Sequence, residues 1–192
     1  AADGYEPTAG LSFSWDSNRF ISRLPQGWNV QRAYLDLMSV ADAKDVLRDG
    51  MNQGVALTSF VGHSGLDRWT FDGLFFSSDA QALTNAGRPT VVTQWGCWNT
   101  YHVDPRYNTL GHRFLLSGEQ GAAAVLGAAT LTDARHEELL GYFVMNRLVD
   151  PGTTMGEAIQ EAKAQLAIYR PGYLDVLLGW TLLGDPAVVI EP

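Results

Sequence analysis

The 192-residue chain has a single cysteine, Cys97, and four histidines. One thiol excludes a disulfide within the chain, so the redox compartment cannot be read from cysteine pairing. No pair of histidines has zinc-like spacing with Cys97, which excludes a recognisable zinc motif. Basic residues are also scarce: 13 Lys and Arg stand against 21 Asp and Glu, a formal net charge of −8. That balance argues against a nucleic-acid binder and against docking on an anionic membrane. No apolar run approaches the roughly 20 residues that span a bilayer; the longest, residues 121–131, is diluted by Ala and Gly. Internal repeats, low-complexity tracts and flexible linkers are missing, so residues 1–192 read as one domain. The chain opens at AADGYEP with neither Met nor a signal peptide, which reads as a mature fragment lacking an N-terminal portion.

The chain does contain alternating strand-like and helix-like segments, the pattern of a parallel sheet with crossover helices. Residues 33–38 (AYLDLM) predict a strand. Ser39 and Asp42 then mark the start of a helix reaching about Gln53, with Gly54 placed to end it. The run VALTSFV (55–61) predicts a buried strand, because parallel strands covered on both faces need not alternate. A short helix near 79–85, a strand at 90–95, a helix over 109–117 and a small-residue strand at 122–128 follow. A helix over about 136–148 comes next. Thr154 and Glu157 have capping-box spacing ahead of a helix whose stripe is Met155, Ile159, Ala162 and Leu166. PAVVI (186–190) predicts a final strand. The expected fold is an α/β three-layer sandwich with about five mainly parallel strands flanked by helices.

In such sheets ligands bind beyond the carboxyl ends of the strands. Two strands end in suggestive loops: VALTSFVGHSG delivers His63 between Gly62 and Gly65, and TVVTQWGCWNT delivers Cys97. A thiol needs help to become a thiolate at neutral pH, and an imidazole can give it. The backbone N–H groups of Ser64 and Cys97 can hold a developing oxyanion, with glycines at 62, 65 and 96 letting the backbone approach closely. From the residues alone, Cys97 reads equally as this nucleophile or as a small core residue at a strand end.

VALTSFVGHSG with Trp69, then QALTNAGRPTVVTQWGCWN, resembles the core of the gingipain-like cysteine peptidases, which have the caspase-like fold. GEQGAAAVLGAATLTD is similar to that family's small-residue strand and specificity loop. TTMGEAIQEAKAQL and TLLGDPAVVI resemble its following helix and closing Gly-Asp-Pro strand, and AADG resembles an acidic turn after an earlier strand. The resemblance implies a cysteine endopeptidase acting on protein or peptide substrates through Cys97 and His63, with a thioester acyl-enzyme. It implies oxyanion-hole amides at Ser64 and Cys97, and places Trp95, Gly96, Ala129, Thr130 and Leu131 near the pocket for the residue before the scissile bond. The chemistry would require no cofactor; a structural calcium is compatible, but no ligand loop shows one. A separate N-terminal segment of the same precursor is a candidate partner, and a secreted or cell-envelope bacterial setting is implied. Two departures stand out. Ser64 occupies the family's glycine position after the His, and the glycine that follows the Cys has drifted.

Other motifs have plainer readings. His102, His112 and His136 read as loop, surface or cap residues. Asp67, Asp72, Asp104 and Asp133 lie in loops at the expected active edge, and Gly184 and Asp185 read as a structural turn. Two alternatives stay open: a non-catalytic caspase-like binding or assembly module, and an intracellular repeat-associated peptidase triggered by a partner.

Overall fold

A computed structural model describes residues 1–191. Its centre is a four-stranded sheet built from β1 (Leu57–Val61), β4 (Thr90–Trp95), β5 (Ala122–Ala128) and β6 (Trp180–Gly184), in that spatial order. The β1–β4 and β4–β5 pairs are parallel, whereas β6 runs antiparallel to β5. A two-stranded hairpin of β2 (Arg68–Trp69) and β3 (Phe75–Phe76) sits in the loop after β1. Every residue of β4 is buried, as a central strand covered on both faces requires.

Seven helices among the described residues cover the sheet in two layers. One face carries α1 (Phe13–Ile21), α5 (Ala134–Leu148), α6 (Met155–Tyr169) and α7 (Leu174–Gly179). Their apolar residues pack on Val61, Val91, Trp95, Leu126 and Ala128. The opposite face carries α2 (Val40–Gln53), α3 (Ser77–Gln81) and α4 (Leu110–Leu115), packed on Phe60, Val92 and Val125. The neighbours in each strand therefore point to opposite layers. The result is an α/β three-layer sandwich with a mostly parallel sheet.

Capping residues set the helix ends. The Ser39 hydroxyl accepts from the Asp42 amide, and Gly54 closes α2 in the left-handed region at φ 88°. Thr154 and Glu157 form a reciprocal capping box on α6, satisfying amides that lack an intrahelical partner.

The sheet departs from expectation in two places, and so has four strands rather than five. Segment 33–38 forms only a bridge at Tyr34, where Ala2 is bridged to both Tyr34 and Val61, because the chain then turns, the Leu37 and Met38 amides donating to the Tyr34 carbonyl. Residues 186–190 do not join the sheet. The carbonyls of Val188 and Pro186 accept from the amides of Met155 and Gly156, capping α6. The closing strand is instead 180–184, entered directly from α7. Unforeseen elements are α1, α7 and the β2–β3 hairpin.

Candidate active site

The ends of β1 and β4 are stitched together by the Gly62 amide, which donates to the Trp95 carbonyl at 2.9 Å. Gly62 has φ 150°, and a Cβ there would overlap Asp3; the position therefore needs glycine. His63 follows. Its amide donates to Asp3 Oδ2 at 3.2 Å, and its Nε2 lies 2.9 Å from Glu6 Oε2. The imidazole is held between two rings, Phe13 edge-on at 5.2 Å and Phe71 stacked at 5.1 Å. Phe71 is 78% exposed, so one face of the imidazole has a surface aromatic as its wall. The turn that presents Phe71 includes Thr70 at φ 60°, held by its amide donating to the His63 carbonyl at 2.8 Å.

Cys97 is reached through Gly96, where a Cβ would overlap the Gly62 carbonyl and the Ser64 hydroxyl. The Ser64 hydroxyl donates to the Cys97 carbonyl at 2.8 Å, tying the two loops together. Asn99, fully buried, donates to Ser64 Oγ at 3.1 Å and to the Gly96 carbonyl at 3.0 Å, and accepts from the Ala128 amide at 3.2 Å. It thus cross-links the ends of three strands. Trp98, just after the nucleophile candidate, has φ 63°, a costly region for a residue with a Cβ. Among the described residues, the Ser64 and Cys97 amides have no recorded acceptor.

The Cys97 sulfur is surrounded by Thr132, whose amide, hydroxyl and carbonyl lie 3.4, 3.5 and 3.5 Å away. Glu137 Oε1 is 4.0 Å from it and accepts a hydrogen bond from the Thr132 hydroxyl. Burial pushes the thiol pKa up, opposed by the Thr132 hydrogen bonds and aided by the charges of Glu137 and Asp175. Burial likewise raises Glu137 to about 7. No hydrogen bond between His63 and Cys97 is found among the described residues; His63 is bonded to Glu6 and Cys97 to Thr132.

A profile of peptidase family C25 matches residues 1–191. The chain belongs to peptidase family C25. No curated protein matches it by sequence. Among solved structures, a complex of Porphyromonas gingivalis RgpB pro- and mature domains superposes with TM-score 0.81 at 17% identity, covering 100% of this chain and 47% of that one. The Arg-specific cysteine proteinase gingipain R (RgpB) gives 0.76 at 17% identity, covering 100% and 46%. A third structure, described only as a protease, gives 0.68 at 16% identity, covering 95% and 47%. The family C25 chain thus spans about half the length of these relatives and shares their fold.

Within this C25 fold, His63, Ser64, Gly96 and Cys97 meet at the carboxyl edge of β1 and β4. Of the pocket residues expected, Trp95 is fully buried, its ring stacked on Trp180 at 5.4 Å. Gly96 is buried in the turn, where it permits close approach of the two loops. Ala129 and Thr130 are half-buried; the Ala129 amide donates to the Gly179 carbonyl and the Thr130 carbonyl accepts from Trp98. Leu131 is 65% exposed beside Thr132. His136 pairs with Asp175 at 2.8 Å, away from the imidazole at position 63.

Sequence reasoning missed Glu6, Asn99, Thr132 and Glu137. Asn99 lay in the run ending GCWNT, Thr132 in GEQGAAAVLGAATLTD and Glu6 in the opening AADGYEP, but none was marked for a role there, and Glu137 lay in none of these stretches. Glu6 sits in a loop with no motif, 57 residues from its histidine. A cavity of about 290 Å³ is lined by Trp15, Asp16 and Glu138. Burial, and then the Glu138 charge, raise Asp16 to about 6. No group of three His, Cys, Asp or Glu side chains converges among the described residues.

Proposed function

We propose that this chain is the catalytic core of a cysteine endopeptidase, with Cys97 as nucleophile and His63 as its proton partner. The observation that carries this reading is the meeting, at one sheet edge, of a thiol, an imidazole held by a carboxylate and two amides with no recorded acceptor. The thiolate attacks the scissile carbonyl carbon, and the oxygen takes up negative charge facing the Ser64 and Cys97 amides. His63 delivers a proton to the leaving amine, so the C–N bond breaks and a thioester remains. Water, losing a proton to His63, then hydrolyses the thioester and returns the thiol. Glu6 on Nε2 holds the ring with Nδ1 available for this traffic.

The test is peptide cleavage by wild type, Cys97→Ala and His63→Ala. Both variants should lose activity; an alanine variant that cleaves as fast as wild type would sink the assignment. Substrates with Arg before the scissile bond come first, because the similar gingipain R is Arg-specific, with Lys, Asn and Asp peptides as the comparison.

One observation favours the second reading, a non-catalytic caspase-like module: burial disfavours the thiolate, and Cys97 is held by Thr132 rather than His63. An inert cysteine would require denaturant before iodoacetamide reacts, whereas the nucleophile would react in the native state.

The partner in this reading is a separate N-terminal segment of the same precursor. A groove of about 440 Å³ runs along the outer edge of β1, lined by Trp28, Ala33, Tyr34, Met51, Leu57 and Ser59. Residues 1–3 already form a parallel ladder there: Asp3 donates to Val61, Val61 to Ala1, and Ala2 to Ala33. The Ala1 nitrogen donates to the Ser59 carbonyl at the mouth of the groove. A strand seated beside Leu57 would extend the same ladder and cover the apolar floor. Refolding with that segment should raise stability and activity together. The setting is secreted or cell-envelope, in a bacterium; no helix among the described residues is long and apolar enough to cross a membrane.

A further inference from the structure

Glu137 is a buried acid that the chemistry above leaves unused. It lies in the first turn of α5, 5% exposed, with Oε1 4.0 Å from the Cys97 sulfur. The Thr132 hydroxyl lies between them, bonded to Glu137 and 3.5 Å from the sulfur. A hydroxyl carries one hydrogen, so it can donate to the carboxylate or to the sulfur but not to both. We propose that Glu137 is a positioning residue that acts through Thr132 to set how readily Cys97 becomes a thiolate, a role that rests on the peptidase reading.

The two protonation states of Glu137 give opposite arrangements. Protonated, its O–H donates to Thr132 Oγ1, and the Thr132 hydroxyl turns to the thiolate, which also accepts from the Thr132 amide. Ionised, the carboxylate takes the Thr132 hydrogen, and the sulfur loses a donor while facing a like charge at 4.0 Å. Each acidic group therefore opposes ionisation of the other. The proton that leaves sulfur in the productive state goes to His63, so Glu137 neither gains nor loses one during turnover.

The surrounding charges reinforce the coupling. Asp133, the α5 N-cap, and Asp175 of α7 both push Glu137 up, beyond the larger effect of burial. His136 is held by Asp175 at 2.8 Å. On the α1 side, Arg19 pairs with Glu138 and Asp16 lies near them. Glu137 titrates at about 7 and the thiol above its ordinary value, so the two compete in the neutral to alkaline range.

The test is the pH dependence of Cys97 alkylation by iodoacetamide, followed by mass on the folded chain. Glu137→Gln fixes the neutral arrangement, because its amide can donate to Thr132 at every pH. The alkylation midpoint should fall by about one unit or more, close to a ten-fold faster reaction at pH 8, as expected for removing a charge at this distance. The shift should shrink in a Thr132→Val background, where the shared hydrogen is gone. Equal midpoints in wild type and Glu137→Gln would overturn the proposal. Should the variant fail to fold, the carboxyl carbon signal of Glu137 in wild type decides: titration near neutrality, followed by a second, smaller shift as the Cys97 thiol ionises at higher pH and absent once Cys97 is alkylated, is expected. A carboxyl already ionised at pH 5.5 overturns it. Alkylation needs no substrate, so absent cleavage counts against the peptidase reading and leaves this result standing.

Discussion

Replacing Asn99 with alanine should unlock the site and cost a large part of the stability. The side chain is fully buried and makes three hydrogen bonds, to Ser64, to Gly96 and from Ala128. Each such bond contributes about 1 kcal/mol net, and an amide stranded in the interior costs about 1–3 kcal/mol. Ala128 would be stranded in this way, between β5 and the Cys97 loop, so the expected loss is about 3 kcal/mol. Against a typical stability of roughly 5–15 kcal/mol, that is a substantial fraction. With a urea slope of about 2–3 kcal/mol/M, the midpoint should move down by about 1–1.5 M. Asn99→Asp separates the causes. It keeps the acceptor for Ala128 but has no donor for Gly96, and the Ser64 hydroxyl is already committed to the Cys97 carbonyl. It should therefore be at least as damaging as alanine at neutral pH and recover partly in acid. A midpoint shift below about 0.3 M for Asn99→Ala would refute the view that this residue ties the strand ends together.

Three further outcomes follow from the geometry. Gly96→Ala forces a methyl group into the Gly62 carbonyl and the Ser64 hydroxyl; it should part the two loops and abolish cleavage, while calorimetry shows a fold retained at reduced Tm. Glu6→Ala removes the partner of His63 Nε2 and should lower kcat by roughly 10²-fold, the scale of a general acid–base contribution, with KM little changed. Glu137 is held above its ordinary value, to about 7, so the folded state binds its proton more tightly than the unfolded chain. That stabilisation is complete below about pH 4.5 and lost as pH rises through 7, an effect of about 3 kcal/mol. Glu137→Gln should thus be more stable than wild type at pH 8 and close to it at pH 4.5, measured by urea titration at both.

The parts of this protein that were legible in its sequence are those written in local chemistry. Ser39 and Gly54 bracket α2, Thr154 and Glu157 open α6, and the β4 and β5 runs carry their own hydrophobic signature. Gly62 and Gly96 likewise announced tight turns beside His63 and Cys97. What was hidden depends on tertiary partners. Segment 33–38 looks like a strand, but the chain turns after Tyr34, whose carbonyl accepts from the Leu37 and Met38 amides. PAVVI has the composition of a strand, yet its carbonyls are used on the amides at the start of α6. Glu6 and Glu137 carry no motif, and each gains its meaning only from a group more than thirty residues away.

The open flank of β1 also bears on how the chain behaves in concentrated solution. Residues 1–3 ladder with Ser59 and Val61; beside Leu57 the apolar floor is a place where an extended segment, including one from another copy, can add to the strand edge. The net charge of −8 supplies long-range repulsion that salt weakens. Self-association should therefore rise with ionic strength and fall when a short strand-forming peptide occupies the groove. Handling this chain is, in that sense, a question of keeping one edge occupied.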